Sequence, residues 1–252
     1  MHALAGIRIV VTRAAEQAKE LVSSLRDLGA EVISLPAIEI GPPSDPGPLR
    51  RAIEHLNDYD WIIFSSANAV NAFAAIGGGG KNCRARIAAV GPHTREVAEQ
   101  RGFTISLSPE RYLSESLVEA FGKENVNGKR ILIPSAALTR EVVESELRKR
   151  GALVEVVEAY RNLAPANLRE HGLAILREPY PDWITFASSS AVDHVIAAIG
   201  PEPFTYTKIA TIGPITSETV RKHGLTVAAE ALMHDVPGLI EAILASASHR
   251  PI

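Results

Sequence analysis

Three segments of this 252-residue chain recur further along it in a single register. DWIIFSSANAV at 60–70 returns as DWITFASSSAV at 182–192, and RIAAVGPHTREVAEQRGFT at 86–104 returns as KIATIGPITSETVRKHGLT at 208–226. GIRIVVTRAAEQAKELVSSLRDLGAEV at 6–32 returns as GKRILIPSAALTREVVESELRKRGALV at 128–154. Each pair stands 122 residues apart without a gap. One such pair would be the common texture of any two strand-turn-helix segments. Three in one register imply an internal duplication, followed by a short polar tail at Ser246–Ile252.

Within each copy, apolar and β-branched runs at 7–12, 60–64, 86–90, 129–133, 182–187 and 208–212 have the length of buried parallel strands. A helix is expected after each. Over 15–28, Ala18, Leu21, Val22, Leu25 and Leu28 form one stripe ending at Gly29. Over 139–150, Val142, Val143 and Leu147 repeat it, and Gly151 closes it. This alternation predicts an α/β chain of two flavodoxin-like, doubly wound parallel-sheet domains, about five strands per copy, with function at the C-terminal strand ends. LPAIEI at 35–40 and VEAYRN at 157–162 interrupt the pattern: each leads into a Pro-bearing polar stretch, 41–48 or 163–167, with no helix expected. Lying at the same place in both copies, they are expected to pair as a two-stranded linker ladder, 36–41 with 158–165. Residues 1–35 plus 166–252 then form one discontinuous domain and residues 42–157 the other.

Composition narrows the function. With 29 acidic and 26 basic residues the chain has no basic field for nucleic acid or an anionic membrane. The run Arg148–Lys149–Arg150 reads as a helix's last turn complementing its dipole. A single cysteine, Cys83, excludes an intramolecular disulfide and a cysteine zinc cage and suits a reducing compartment. The eight histidines show no i, i+4 pair and no HExxH, so no metal is expected. GxGxxG is missing. Gly77–Gly80 with Lys81 imitates a phosphate loop, but the first glycine is absent and Asn82 stands where Ser or Thr would bind magnesium, so it reads as a flexible loop. Charged groups, including Arg8 and Arg13, interrupt the N-terminal apolar runs, and no later run approaches ~18 apolar residues. The expected compartment is the cytoplasm.

The repeated loops supply the candidate site. Gly91-Pro92-His93-Thr94 matches Gly213-Pro214-Ile215-Thr216. Glycine permits close backbone approach, proline suits the first helical turn, and the N–H groups of a helix start attract anions. The same pattern also describes a plain helix start. After DWIIF and DWITF come Ser65, Ser66 and Asn68, and Ser188, Ser189 and Ser190. One residue in each loop is expected to cap the next helix, leaving its neighbours to donate to a bound carboxylate. No histidine or carboxylate sits where a GxSxG elbow needs it, which argues against a serine hydrolase. Arg13 and Arg140, beyond the first strand of each copy, reach either the cleft or a surface ion pair. Tyr160 is either a proton donor between the domains or a packing tyrosine.

Taken together, VTR at 11–13, GAEVISLPAIEI at 29–40, YDWIIFSSANAV at 59–70, AAVGPHT at 88–94, SESL at 114–117, RILIP at 130–134, AYR at 159–161, DWITFASSSAV at 182–192 and IGPIT at 212–216 resemble the uroporphyrinogen-III synthase family. The resemblance implies a lyase that closes hydroxymethylbilane with inversion of the last pyrrole ring, through loss of the terminal hydroxyl and a spiro intermediate. It implies no metal or organic cofactor, and two α/β domains joined by a two-stranded ladder. By similarity, Thr94 and Thr216 line the cleft, Tyr160 assists hydroxyl departure, and Ser114 joins the substrate-binding candidates. A monomer is expected, with the upstream deaminase as a candidate partner. One departure stands out: Ser135 follows Pro134 where many relatives carry arginine, which removes a candidate carboxylate contact and implies an offset by Arg140, a shifted substrate or weakened binding. The competing readings are a non-enzymatic two-domain protein that binds a small anion or a tetrapyrrole, and a sugar or nucleotide transferase. Against the transferase stands the lack of a phosphate loop.

Overall fold

The chain divides at its two central extended segments. The computed structural model describes residues 3–80, 83–109, 114–136 and 141–247. One unit takes Met1–Glu39 and Leu163–Ile252, and a second takes Ile40–Asn162.

With strands and helices numbered along the chain, the first unit holds Arg8–Val11 (β1), Glu31–Ser34 (β2), Trp183–Phe186 (β9), Lys208–Thr211 (β10) and Val227–Glu230 (β11). They form one parallel sheet in the order β11-β10-β9-β1-β2. The N-terminal strand thus sits inside a sheet built mostly from the last third of the chain. Every residue of β9 is buried, as a strand covered by helices on both faces requires. On one face Trp183 packs with Leu21 and Leu25 of Ala15–Asp27 (α1) and Leu239 of Val236–Ala247 (α10). On the other, Ile184 and Phe186 pack with Val195 of Ser189–Ile199 (α8) and Val220 of Pro214–Lys222 (α9).

The second unit, with the boundary residues Glu39 and Leu163 of the first completing two of its strands, holds Glu39–Gly41 (β3), Trp61–Phe64 (β4), Arg86–Ala89 (β5), Ile105–Leu107 (β6), Arg130–Ala136 (β7) and Leu153–Leu163 (β8), in the order β3-β8-β7-β4-β5-β6. Neighbours from β8 to β6 run parallel. Phe64 meets Phe73 and Phe103 edge-on at 5.5 and 5.3 Å, under Ala67–Ala75 (α3) and Pro92–Gln100 (α4). The opposite face buries Trp61, Phe121, Ile131 and Leu147 against Ser114–Ala120 (α5) and Glu141–Lys149 (α6).

The recurring Asp-Trp dipeptide has a structural cause. Asp60 Oδ2 accepts from Arg130 N, the first amide of β7, and Asp182 Oδ2 accepts from Arg8 N, the first amide of β1, both at 2.9 Å. Each aspartate ties the start of the strand beside its own, while the tryptophan enters the core.

Four expectations need correction. Helices do follow the two extended segments: Gly47–Glu54 (α2) and Leu168–Ile175 (α7). Each has only eight residues, too few to show a repeating stripe, though burial of Leu49 and Ala52 gives α2 an inner face. The tail is shorter than expected, since α10 runs through Ser246 to Ala247. Val142 is 44% exposed and lies off the buried stripe of α6. Gly77–Gly80 is a packed turn: a methyl on Gly80 would lie 1.9 Å from Gly102 O, and Gly78 N donates to Phe73 O at 3.0 Å. Among the described residues, no helix is long and apolar enough to cross a membrane.

Candidate functional site

In an open parallel sheet, ligands meet the loops leaving the C-terminal strand ends, above all where the chain leaves in opposite directions from neighbouring strands. In the first unit that point lies between β1 and β9, and in the second between β7 and β4. The loops there hold Arg13, Ser188, Ser189, Ser65 and Ser66.

Ser66 and Ser188 cap their helices in nearly the same conformation. Their backbones are extended (φ −156° and −162°), and each Oγ accepts from the amide three residues on, Ala69 N at 3.2 Å and Ala191 N at 3.3 Å. This meets the expectation of one cap per loop. Ser65 is exposed at the end of β4. Ser189 is less free than its neighbours suggested: it accepts from Thr219 Oγ1 at 2.8 Å and donates to Ile215 O at 3.4 Å, tying α8 to α9.

The glycine-threonine turns open α4 and α9. Gly91 caps α4 with φ +87° and ψ 154°, a backbone that favours glycine, and Pro92 follows at N1. Gly213 caps α9 in a fully extended backbone with Pro214 next. Neither cap supplies a side-chain acceptor, and neither first turn holds an acidic residue. The leading N–H groups of both helices therefore suit an anion. Thr94 and Thr216 are 6% and 5% exposed, so they support the turns from inside.

Arg13 is half-buried just past β1, and desolvation lowers its pKa, opposed by the charge of Glu20. A guanidinium lowered from so high a value still carries its charge at neutral pH. Arg140 lies outside the described residues. Ser114 opens α5, and its side chain also falls outside them. Ser135 is 4% exposed, and its hydroxyl donates to Ala136 O at 3.1 Å.

Tyr160 lies in β8, 8% exposed, its hydroxyl 3.0 Å from Ser66 Oγ. Beside it opens a cavity of about 430 Å³ lined by Ile40, Pro42, Asn68, Asn71, Ile76 and Tyr160, among others. Its walls are mainly apolar, with a phenol and two amides as polar groups. A hollow of about 480 Å³ at the opposite strand ends holds a different tyrosine. There Tyr59 donates to Glu155 Oε2 at 2.7 Å, and burial and that hydrogen bond push its pKa well above the ordinary phenol value. Tyr59 is held as a neutral donor to its own carboxylate. Tyr160 instead meets a serine hydroxyl and borders a cavity that runs along α3 from Asn68 to Ile76.

One residue at these loops escaped the sequence. His234 lies beyond β11, and its ring packs on Gly213. Leu232 and Met233, just before it, are 95% and 66% exposed. Only the adjacency of β10 and β11 brings that loop to the Gly213 turn, so spacing could not reveal it. Among the described residues no cluster of three or more His, Cys, Asp or Glu is placed to hold a metal.

Comparison with known proteins bears on this arrangement. The family model "Uroporphyrinogen-III synthase HemD" matches residues 19–241. The chain is 36% identical to a uroporphyrinogen-III synthase from Synechococcus elongatus, over 95% of either sequence. It is 29% identical to a putative uroporphyrinogen-III synthase from Methanothermobacter thermautotrophicus, over 86% of this chain and 90% of that protein. Among solved structures, a mutant uroporphyrinogen III synthase from the extreme thermophile Thermus thermophilus superposes with a TM-score of 0.65 at 14% identity, covering 97% of this chain and all of the other. The corresponding Helicobacter pylori protein gives 0.61 at 16% identity, covering 95% and 99%. At those identities the likeness supports the α/β fold alone.

Proposed function

The chain belongs to the uroporphyrinogen-III synthase family, and from that premise we propose how its residues serve the reaction. The activity is that of a uroporphyrinogen-III synthase, a lyase of porphyrin biosynthesis acting on a small tetrapyrrole. In our reading the substrate is hydroxymethylbilane, closed with inversion of its last ring.

Such a substrate is a polycarboxylate on a flexible, largely apolar frame of pyrroles joined by methylene bridges. Its acid groups are met by the helix starts at Gly91–Thr94 and Gly213–Thr216, by the hydroxyl of Ser65, and by Arg13, with Ser114, Arg140 and, once it gives up its bond to Ile215 O, Ser189 as further contacts. What supports this is chemistry: uncapped N–H groups, hydroxyls and one charged guanidinium bind carboxylates without a metal. We read the two units as copies of one flavodoxin-like unit, supported by the 122-residue register and the matching caps at Ser66 and Ser188. We place the enzyme in the cytoplasm as a monomer that receives its substrate from the upstream deaminase.

The observation that carries the catalytic assignment is Tyr160 itself, which lines a cavity and holds its hydroxyl 3.0 Å from Ser66 Oγ. We assign it the protonation of the departing hydroxyl, which leaves a cation stabilised by the pyrrole itself. The test supplies purified protein with bilane made in situ. Accumulation of the type III isomer is expected; type I alone would reject the reading. Tyr160→Phe should lower kcat while leaving the melting temperature nearly unchanged, and unaltered turnover would remove the assignment. A purely binding role is not favoured by the family, and tight tetrapyrrole binding without turnover would be its signature.

A further inference from the structure

A serine hydroxyl offers one proton and two lone pairs, and a phenol offers one proton and acceptor capacity. At Ser66 one lone pair is taken, because Oγ accepts from Ala69 N at 3.2 Å as the N-cap of α3. The same oxygen lies 3.0 Å from the Tyr160 hydroxyl, and either atom can donate. Two arrangements follow. If Tyr160 donates, its single proton is committed to Ser66 and none faces the cavity. If Ser66 donates, the phenol proton is left for whatever occupies the hollow of about 430 Å³.

Two features favour the second arrangement once a ligand supplies an acceptor. The Ala69 N–H polarises the Ser66 hydroxyl and strengthens it as a donor. The nine-residue helix α3 has no acidic residue in its first turn, so the positive end of its dipole faces this pair.

We infer that Ser66 is a positioning residue of the reaction: from the N-cap of α3 it holds the Tyr160 phenol, directs its proton into the cavity, and steadies the oxygen when that proton leaves. This rests on the assignment of Tyr160 made above. In that assignment the C–O bond of the terminal hydroxymethyl group breaks with its electron pair on oxygen. The Tyr160 proton joins that oxygen, water departs, and the pyrrole nitrogen's electrons fill the carbon left behind. The substituted carbon of the last ring then attacks to form a spiro C–C bond, and the bond that joined this carbon to its former bridge breaks. A new C–C bond forms from that bridge to the ring's free α-carbon, and the proton lost from that α-carbon returns to the phenolate. No outside acid or base is consumed, and the Ser66 hydroxyl donates to the phenolate throughout the interval.

A double-mutant cycle on the full chain tests this. Ser66→Gly deletes the hydroxyl while leaving a residue well tolerated at N-caps, and Ser66→Thr keeps both cap and donor. Ser66→Gly should lower kcat about 10- to 100-fold, the size of a hydrogen bond to a charged group, with KM moving less than about threefold. Ser66→Thr should recover most of the loss. The Ser66→Gly/Tyr160→Phe double variant should be no slower than Tyr160→Phe by more than about twofold, because the two act as one unit. Multiplying losses, an unchanged kcat in Ser66→Gly, or failure of threonine to rescue would each overturn the positioning role while leaving the Tyr160 assignment standing. A Tyr160→Phe variant with full turnover would instead remove the tyrosine, and type I product alone would remove the functional reading itself.

Discussion

The two glycine turns look interchangeable in sequence, yet they should respond differently to alanine. Gly91 has φ +87° and ψ 154°, a region held almost exclusively by glycine, so Gly91→Ala forces either strain or a remodelled turn. Such backbone strain costs about 1–3 kcal/mol. At roughly 4 °C per kcal/mol for a unit of this size, the unfolding transition of the Ile40–Asn162 unit should fall by ~4–12 °C. Gly213 is nearly fully extended, a backbone open to any residue, and its limit is space: an added Cβ would lie 2.9 Å from His234 Cδ2. The ring of an exposed histidine can yield by the few tenths of an ångström required. The alanine also removes glycine's freedom in the unfolded chain, which stabilises by ~0.4–1 kcal/mol and offsets most of that displacement. Gly213→Ala should therefore melt within about 2 °C of the parent, while the added methyl, at the helix start assigned to a substrate carboxylate, raises KM. Differential scanning calorimetry of both variants, with initial rates across substrate concentration, reads the two effects separately. Equal melting losses, or a larger loss at Gly213, would refute the conformational argument.

Asp60 accepts from Lys129 Nζ at 2.8 Å and from Arg130 N at 2.9 Å, and those bonds hold its carboxyl below the usual aspartate range. A depressed native pKa contributes stability that is complete above the unfolded value of about 4 and is lost as pH falls through the native one. Asp60→Asn should thus flatten the acid limb of stability against pH, measured by denaturant titration from neutral pH downward, and an unchanged limb would show the pair to be idle. Phe73 is fully buried between Phe64 and Phe103, so Phe73→Ala should destabilise its unit by about 3–5 kcal/mol, visible as a lower urea midpoint.

What the sequence made legible followed from periodicity and repetition. The six strand runs lie within a residue or two of β1, β4, β5, β9 and β10 and within the first part of β7, because apolar β-branched runs of that length have few other uses. The caps at Ser66 and Ser188 and the prolines at the starts of α4 and α9 were legible because their chemistry is local. The short helices α2 and α7 were not, because two buried residues make no stripe. His234 was not, because its place beside Gly213 depends on which strands are neighbours. The Tyr160 to Ser66 bond spans 94 residues and depends on β7 lying between β8 and β4, a fact of topology that no local signal carries.

The asymmetry between the two halves traces to a few substitutions in matched positions. Pro36 stands 122 residues before Glu158, and Ile38 stands 122 before Tyr160. Strand β2 ends at Ser34 and the extended segment resumes at Glu39 in β3, while Leu35 N and Ala37 N, on either side of Pro36, still donate to Val11 O and Thr12 O at 2.9 Å. Glu158 carries its amide, and β8 runs unbroken through eleven residues while the Glu158 carboxylate takes Ser44 N and Ser44 Oγ. Continuity of β8 past the end of β4 is what carries residue 160 to the N-cap of α3. A phenol at 160 then meets a capping serine, whereas isoleucine at 38 has no proton to offer. In the proposed reading both units meet acid groups through the caps and turns they share, and the phenol at 160, matched by isoleucine at 38, gives one of them the group that moves a proton.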